Sequence, residues 1–108
     1  MADFDDRRDA FENKFALDAS LIFKAEARTC KIVGLWAADQ MNMEGDAANL
    51  YAKEVVSANL QEPGFDDIKR KLISDFKEAE VDISEHSIDR KIEEAFARAQ
   101  QEIHSEER

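Results

Sequence analysis

The sequence predicts an all-α protein, a four-helix bundle preceded by a mobile or peripheral N-terminal helical segment, and three observations carry that reading. Apolar side chains recur every three or four residues along most of the chain. Only three glycines and one proline interrupt its 108 residues. No run alternates Val, Ile and Thr with polar residues, as a half-buried strand would. A chain of this length holds one modest core, not two.

The first element opens with FDDRRDAFENKF, Phe4 to Phe15. At about 100° per residue, Phe4, Phe11 and Phe15 point within about 20° of one direction. Asp5, Asp6, Arg7, Arg8, Asp9, Glu12 and Lys14 keep most of the remaining circumference polar, which is the pattern of an amphipathic helix. Asp3, Asp5 and Asp6 suit a helix N-terminus, and Asp3 with Arg7 is a favourable i, i+4 pair. Burying three phenylalanines contributes roughly 5–9 kcal/mol, whereas fixing each backbone residue costs about 1–2 kcal/mol. The stripe alone does not order a segment of this length, and a free helix shorter than about 12–15 residues is marginal. The expectation is a segment, residues 1–17, that is mobile in isolation and becomes helical against a partner groove. A fifth element folded back on the bundle is the other reading of the same pattern.

Helical periodicity continues to about Met43, with a new start at Asp18, whose carboxylate suits an N-cap. Ile22, Val33 and Trp36 extend the aromatic stripe, while Leu17, Leu21, Phe23, Ile32 and Leu35 spread apolar groups around the cylinder. A helix apolar on several sides is central to a bundle, so residues 19–41 are expected in the core and 4–15 at the periphery. Glu44-Gly45-Asp46 then breaks the helix and caps the next, in which Ala47, Leu50, Tyr51, Val55 and Ala58 form a stripe ending before Pro63-Gly64. The third helix starts near Asp66, with Phe65 just ahead, and carries Ile68, Leu72, Phe76 and Ala79. After Val81-Asp82-Ile83, Ser84 is the expected N-cap of the fourth helix, and Ile83 with Ile88 occupy hydrophobic-staple positions. Ile88, Ile92, Phe96, Ala99 and Ile103 complete its stripe. Short connections between antiparallel neighbours give an up-down-up-down bundle over residues 18–104, with 105–108 expected to fray.

A net charge of −10 repels phosphate backbones and anionic membranes. Nucleic-acid binding and membrane insertion are therefore not expected; the uncharged stretches, such as Ile32 to Ala38, are far short of the ~20 residues a span needs. No leader-like opening is present, and the lone Cys30 has no partner for an internal disulfide, so a reducing cytoplasm fits. Residues 1–31 hold seven acids and six bases, a balance of −1, which leaves −9 downstream. The leading third is electrostatically a different surface.

No catalytic constellation is visible, and the chain does not read as an enzyme. His86 and His104 lack a partner at ligand spacing, so no metal site is expected. His86 as a phosphorylated histidine is disfavoured by Asp89 three residues on, where a cation would help hold phosphate. The serines have no flanking base or glycine elbow. Lys24, Arg28 and Lys31 fall within one sector of about 60° opposite the phenylalanine stripe, a focus for anions in so acidic a chain, although helix-surface bases often pair with neighbouring carboxylates.

Several runs carry a family resemblance: FDDRRDAFENKFALD (Phe4 to Asp18), FKAEAR (Phe23 to Arg28), VGLWAA (Val33 to Ala38), YAKEVV (Tyr51 to Val56) and EPGFDDIKRKL (Glu62 to Leu72). Over residues 4–76 the chain resembles the zeta subunit family of alphaproteobacterial F-type ATP synthase inhibitors. The resemblance implies a four-helix bundle whose N-terminal segment enters the catalytic head of the synthase, between catalytic and rotor subunits, and blocks rotation in the hydrolytic direction. It implies Phe4, Asp5, Asp6, Arg7, Phe11, Glu12, Lys14 and Phe15 as the inhibitory set; beside it, Arg7, Arg8 and Lys14 are expected to pair with carboxylates of the partner. It also implies a cytoplasmic protein peripheral to the inner-membrane synthase, which requires no cofactor and takes ADP or ATP as a regulatory ligand; Lys24, Arg28 and Lys31 are the residues expected to hold it. The family more usually shows histidine at the place of Leu17 and arginine-asparagine at the place of Thr29-Cys30. The rival reading is a helical adaptor that senses adenine nucleotide without inhibiting directly.

Overall fold

The computed structural model describes residues 19–59 and 64–106; the expectations for residues 1–17 fall outside them. Four helices follow one another: α1 (Ala19–Gln40), α2 (Gly45–Asn59), α3 (Asp66–Glu78) and α4 (Glu85–Glu106). Chain neighbours are neighbours in space, α4 returns to α1, and α1 meets α3 across the diagonal, whereas α2 and α4 have no contact among the described residues. Cross-helix pairs fix the directions. Tyr51 meets Asp75 and Glu54 meets Lys71, Lys69 meets Asp89, and Arg28 meets Glu102 and Glu106. Each adjacent pair is antiparallel, so the all-α, up-down-up-down bundle expected from the sequence is the fold observed.

Helix ends follow from local chemistry. α1 stops at Gln40, short of the Met43 expected, because Asn42 turns the chain into the left-handed region at φ 63°. There the Asn42 amide donates to the Asp39 carbonyl at 3.0 Å and the Met43 amide to the Ala38 carbonyl at 2.9 Å. That pair of bonds satisfies carbonyls a helix end would leave open, and asparagine tolerates the conformation. α3 closes in the same way on Glu80, at φ 59°, with the Val81 amide donating to the Phe76 carbonyl at 2.8 Å. α3 also begins with Asp66 and Asp67 and ends with Lys77, each suited to its end of the helix dipole. Ser84 caps α4 as expected, its Oγ accepting from the Ser87 amide at 3.1 Å. α4 runs on to Glu106, two residues past the expected boundary at 104, and Arg28 holds that last turn.

The core draws on all four helices: Val33, Ala37 and Ala38 from α1, Tyr51 and Val55 from α2, Ile68, Leu72 and Phe76 from α3, Ile88 and Ile92 from α4. Trp36 packs edge-on against Phe76 at 5.8 Å between ring centroids, joining α1 to α3. Phe65 meets Phe96 at 5.2 Å, joining the start of α3 to α4. α1 is central, as its apolar spread suggested, but small residues bury it. Ala25, Thr29, Cys30, Val33, Ala37 and Ala38 are its buried positions, while Phe23, counted among the apolar residues of that core helix, is 56% exposed. At the seam with α2 the small residues are required: a Cβ on Gly34 would lie 2.8 Å from the Ala52 Cα. Two backbones that close leave no room for large side chains between them. Leu50, expected in the buried stripe of α2, is 60% exposed because α2 turns Tyr51, Ala52 and Val55 inward instead.

Candidate functional site

The nine residues predicted to engage a partner, Phe4, Asp5, Asp6, Arg7, Arg8, Phe11, Glu12, Lys14 and Phe15, lie outside the described residues. Within them, two surfaces bear on ligands and partners: the basic sector of α1, and a groove between α2 and α3.

Lys24, Arg28 and Lys31 recur at helical spacing on α1; Lys24 and Lys31 are exposed, and Arg28 is half-buried at the seam with α4. The Arg28 guanidinium donates to both carboxylate oxygens of Glu106, at 2.6 and 3.1 Å, and its Nη1 lies 3.4 Å from Glu102. Glu102 also accepts from Arg98 Nε at 2.9 Å. The hydrogen bond donated to Glu106 raises the pKa of Arg28 against a smaller opposing effect of burial, and the same bond holds the Glu106 carboxyl below its usual range. The central cation of the sector is therefore already forked onto a carboxylate. A phosphate bound here would have to displace Glu106. Thr29 and Cys30 sit next to Arg28 in sequence but are fully buried; the Thr29 hydroxyl donates to the Ala25 carbonyl at 2.7 Å. Burial pushes the Cys30 thiol up to about 12, with the charge of Glu26 adding to it, so it remains a protonated thiol at neutral pH. His86 is exposed in the opening turn of α4, and His104 is half-buried in its last turn. Among the described residues no group of three His, Cys, Asp or Glu side chains is arranged to hold a metal ion.

The groove went unseen in the sequence. It is an open hollow of about 540 Å³, with Met43, Ala47, Leu50 and Ala79 as its apolar lining and Glu54, Asp75 and Glu78 as its acidic one. At its side the Tyr51 hydroxyl donates to Asp75 Oδ2 at 2.6 Å. Lys71 Nζ stands 3.1 Å from the same oxygen and 3.3 Å from Glu54 Oε1, and 5.1 Å from the centre of the Tyr51 ring. Burial, then the bond to Asp75, raises the Tyr51 pKa, so the phenol stays a neutral donor. Burial works against the Lys71 charge, but the bonds and charges of Asp75 and Glu54 together outweigh it. This clamp fixes α2 to α3 and leaves the hollow above it lined by an exposed leucine and by carboxylates. The signal was present in the sequence as Leu50 beside Tyr51, adjacent positions that cannot both face inward on a helix with one buried stripe.

Residues 1–102 match the family model described as ATPase inhibitor subunit zeta. A solved solution NMR structure is 39% identical to this chain, over 78% of it and 95% of the solved chain, with a TM-score of 0.67. No curated protein matches.

Proposed function

The chain belongs to the ATPase inhibitor subunit zeta family, and on that premise we propose that it restrains ATP hydrolysis by an F-type ATP synthase, with its leading segment as a wedge in the catalytic head. The observation that carries this reading is that the family match takes in residues 1–102, leading segment and bundle together. Phe4, Phe11 and Phe15 enter apolar pockets between catalytic and rotor subunits, while Arg7, Arg8 and Lys14 pair with carboxylates there; Asp5, Asp6 and Glu12 set the polar contacts of the other faces. A wedge of this kind stops a rotor without chemistry of its own. The bundle is the body that keeps the wedge outside the head until it inserts. No helix among the described residues is long and apolar enough to cross a membrane; a place on the cytoplasmic side, peripheral to the membrane-bound synthase, belongs to the same proposal.

ATP hydrolysis by the synthase, titrated with the full chain and with a chain lacking residues 1–15, tests the wedge. The core cluster comes from residues 30–95, so the shortened chain keeps its helical content and loses inhibition. Inhibition that survives the deletion overturns the reading.

A further inference from the structure

The hollow between α2 and α3 complements the leading segment in shape of charge as well as in polarity. Its lining is apolar at Met43, Ala47, Leu50 and Ala79, and its three carboxylates, Glu54, Asp75 and Glu78, outnumber Lys71, the one cation that Glu54 and Asp75 share. On a helix through residues 4–15 the charged side chains nearest the phenylalanine stripe are Arg8 and Arg7, about 40° and 60° from its centre, and the closest acid, Glu12, stands about 80° away. An apolar stripe flanked by cations thus meets a hollow whose lining is partly apolar and, with Lys71 counted, net acidic.

The reach also fits. Gly34 faces Ala52, which puts Leu50 level with roughly the eighteenth residue of α1, about 25 Å along the bundle from Ala19. The four steps from Ala19 back to Phe15 span at most about 14 Å. A helical rise from Phe15 adds about 6 Å to Phe11 and about 16 Å to Phe4. Phe11 and Phe4 can therefore lie at about 20 and 30 Å, on either side of Leu50.

We propose that residues 4–15 dock reversibly in this chain's own α2–α3 groove, and that the docked form competes with insertion into the synthase. The docking stands on the groove and the segment; its regulatory consequence rests on the wedge reading above. A segment docked for nine-tenths of the time would weaken apparent inhibition about tenfold, because only the undocked fraction is competent to insert. The groove is then a store for the wedge, and anything that loosens it makes the inhibitor more potent.

The test uses the full chain with a nitroxide on Ser74→Cys, exposed on α3 one turn from Glu78, and, for comparison, on Ala97→Cys, exposed on α4, which does not touch α2. Cys30 is fully buried, so labelling stays selective. The expected result is that the amide signals of Phe4, Phe11 and Phe15 broaden at least twofold more from the label at 74. Equal broadening from the two labels overturns the proposal. The double substitution Leu50→Lys and Glu78→Lys, both at exposed positions, should abolish the excess broadening and lower the concentration for half-inhibition several-fold; excess broadening that persists in this variant also overturns it. Excess broadening in a chain that does not inhibit at all supports docking and refutes the wedge reading alone.

Discussion

The seam between α1 and α2 and the seat of α3 are held in opposite ways. α1 and α2 approach until a single methyl would collide, with Gly34 against Ala52 at a projected 2.8 Å, and the residues buried there are small. α3 instead reaches inward with three large side chains, Ile68, Leu72 and Phe76, all essentially without exposure. Along its edges charged clamps finish the seat: Lys71 between Asp75 and Glu54 on one side, and Lys69 between Asp89 and Glu85 on the other. Dispersion between close backbones stabilises the first seam, so added volume breaks it. Removed volume breaks the second.

The largest effect expected is at the second. Phe76→Ala removes the ring that meets Trp36 and should cost about 3–5 kcal/mol in denaturant unfolding. Gly34→Ala is the converse. At an open helical position the change would stabilise by about 0.5–1 kcal/mol, but here the overpacking dominates and a net loss of about 1–2 kcal/mol is expected. A stabilised Gly34→Ala chain would break the comparison. Tyr51→Phe takes one hydrogen bond from Asp75, which keeps Lys71, and should cost about 1 kcal/mol by the same measurement.

The smallest effect concerns the edge between α1 and α4. Glu102 is held below the usual carboxylate range chiefly by its bond from Arg98, and Glu106 by its bond from Arg28. Carboxylates with lowered folded pKa values contribute stability that is present above their unfolded value and is lost as pH falls through the folded one. The melting temperature should therefore drop as pH is taken below about 5. Arg28→Met removes the partner of Glu106, so its melting curve should flatten over that range. A drop identical to that of the unaltered chain would place the acid sensitivity elsewhere.

Much of this architecture was legible in the residues. Ser84 and Asp66 marked helix starts because capping and first-turn acids act locally, and the stripes Ile68-Leu72-Phe76 and Ile88-Ile92 marked buried faces because each helix buries one side. α1 was harder. Its buried face is written in Ala, Thr and Cys, which carry little periodic hydrophobic signal, and the decisive fact, the closeness of α2, is a property of two helices together. The same limit hid the groove, since Leu50 and Ala79 lie on different helices and only packing brings them to one hollow. At the basic sector, spacing placed Lys24, Arg28 and Lys31 on one helix, but the pairing of Arg28 with Glu106 joins residues 78 positions apart, beyond any local pattern.

The proposed inhibition rests on a division between a wedge and the body that carries it. Its most direct measurement is a titration of synthase ATP hydrolysis with a chain bearing Phe4→Ala, Phe11→Ala and Phe15→Ala together, alongside a thermal melt of that chain. Inhibition is expected to be lost at concentrations where the unaltered chain saturates, while the bundle keeps its helical content and a cooperative melt, lowered by no more than the docked segment contributed. Half-inhibition at the same concentration as the unaltered chain would contradict it.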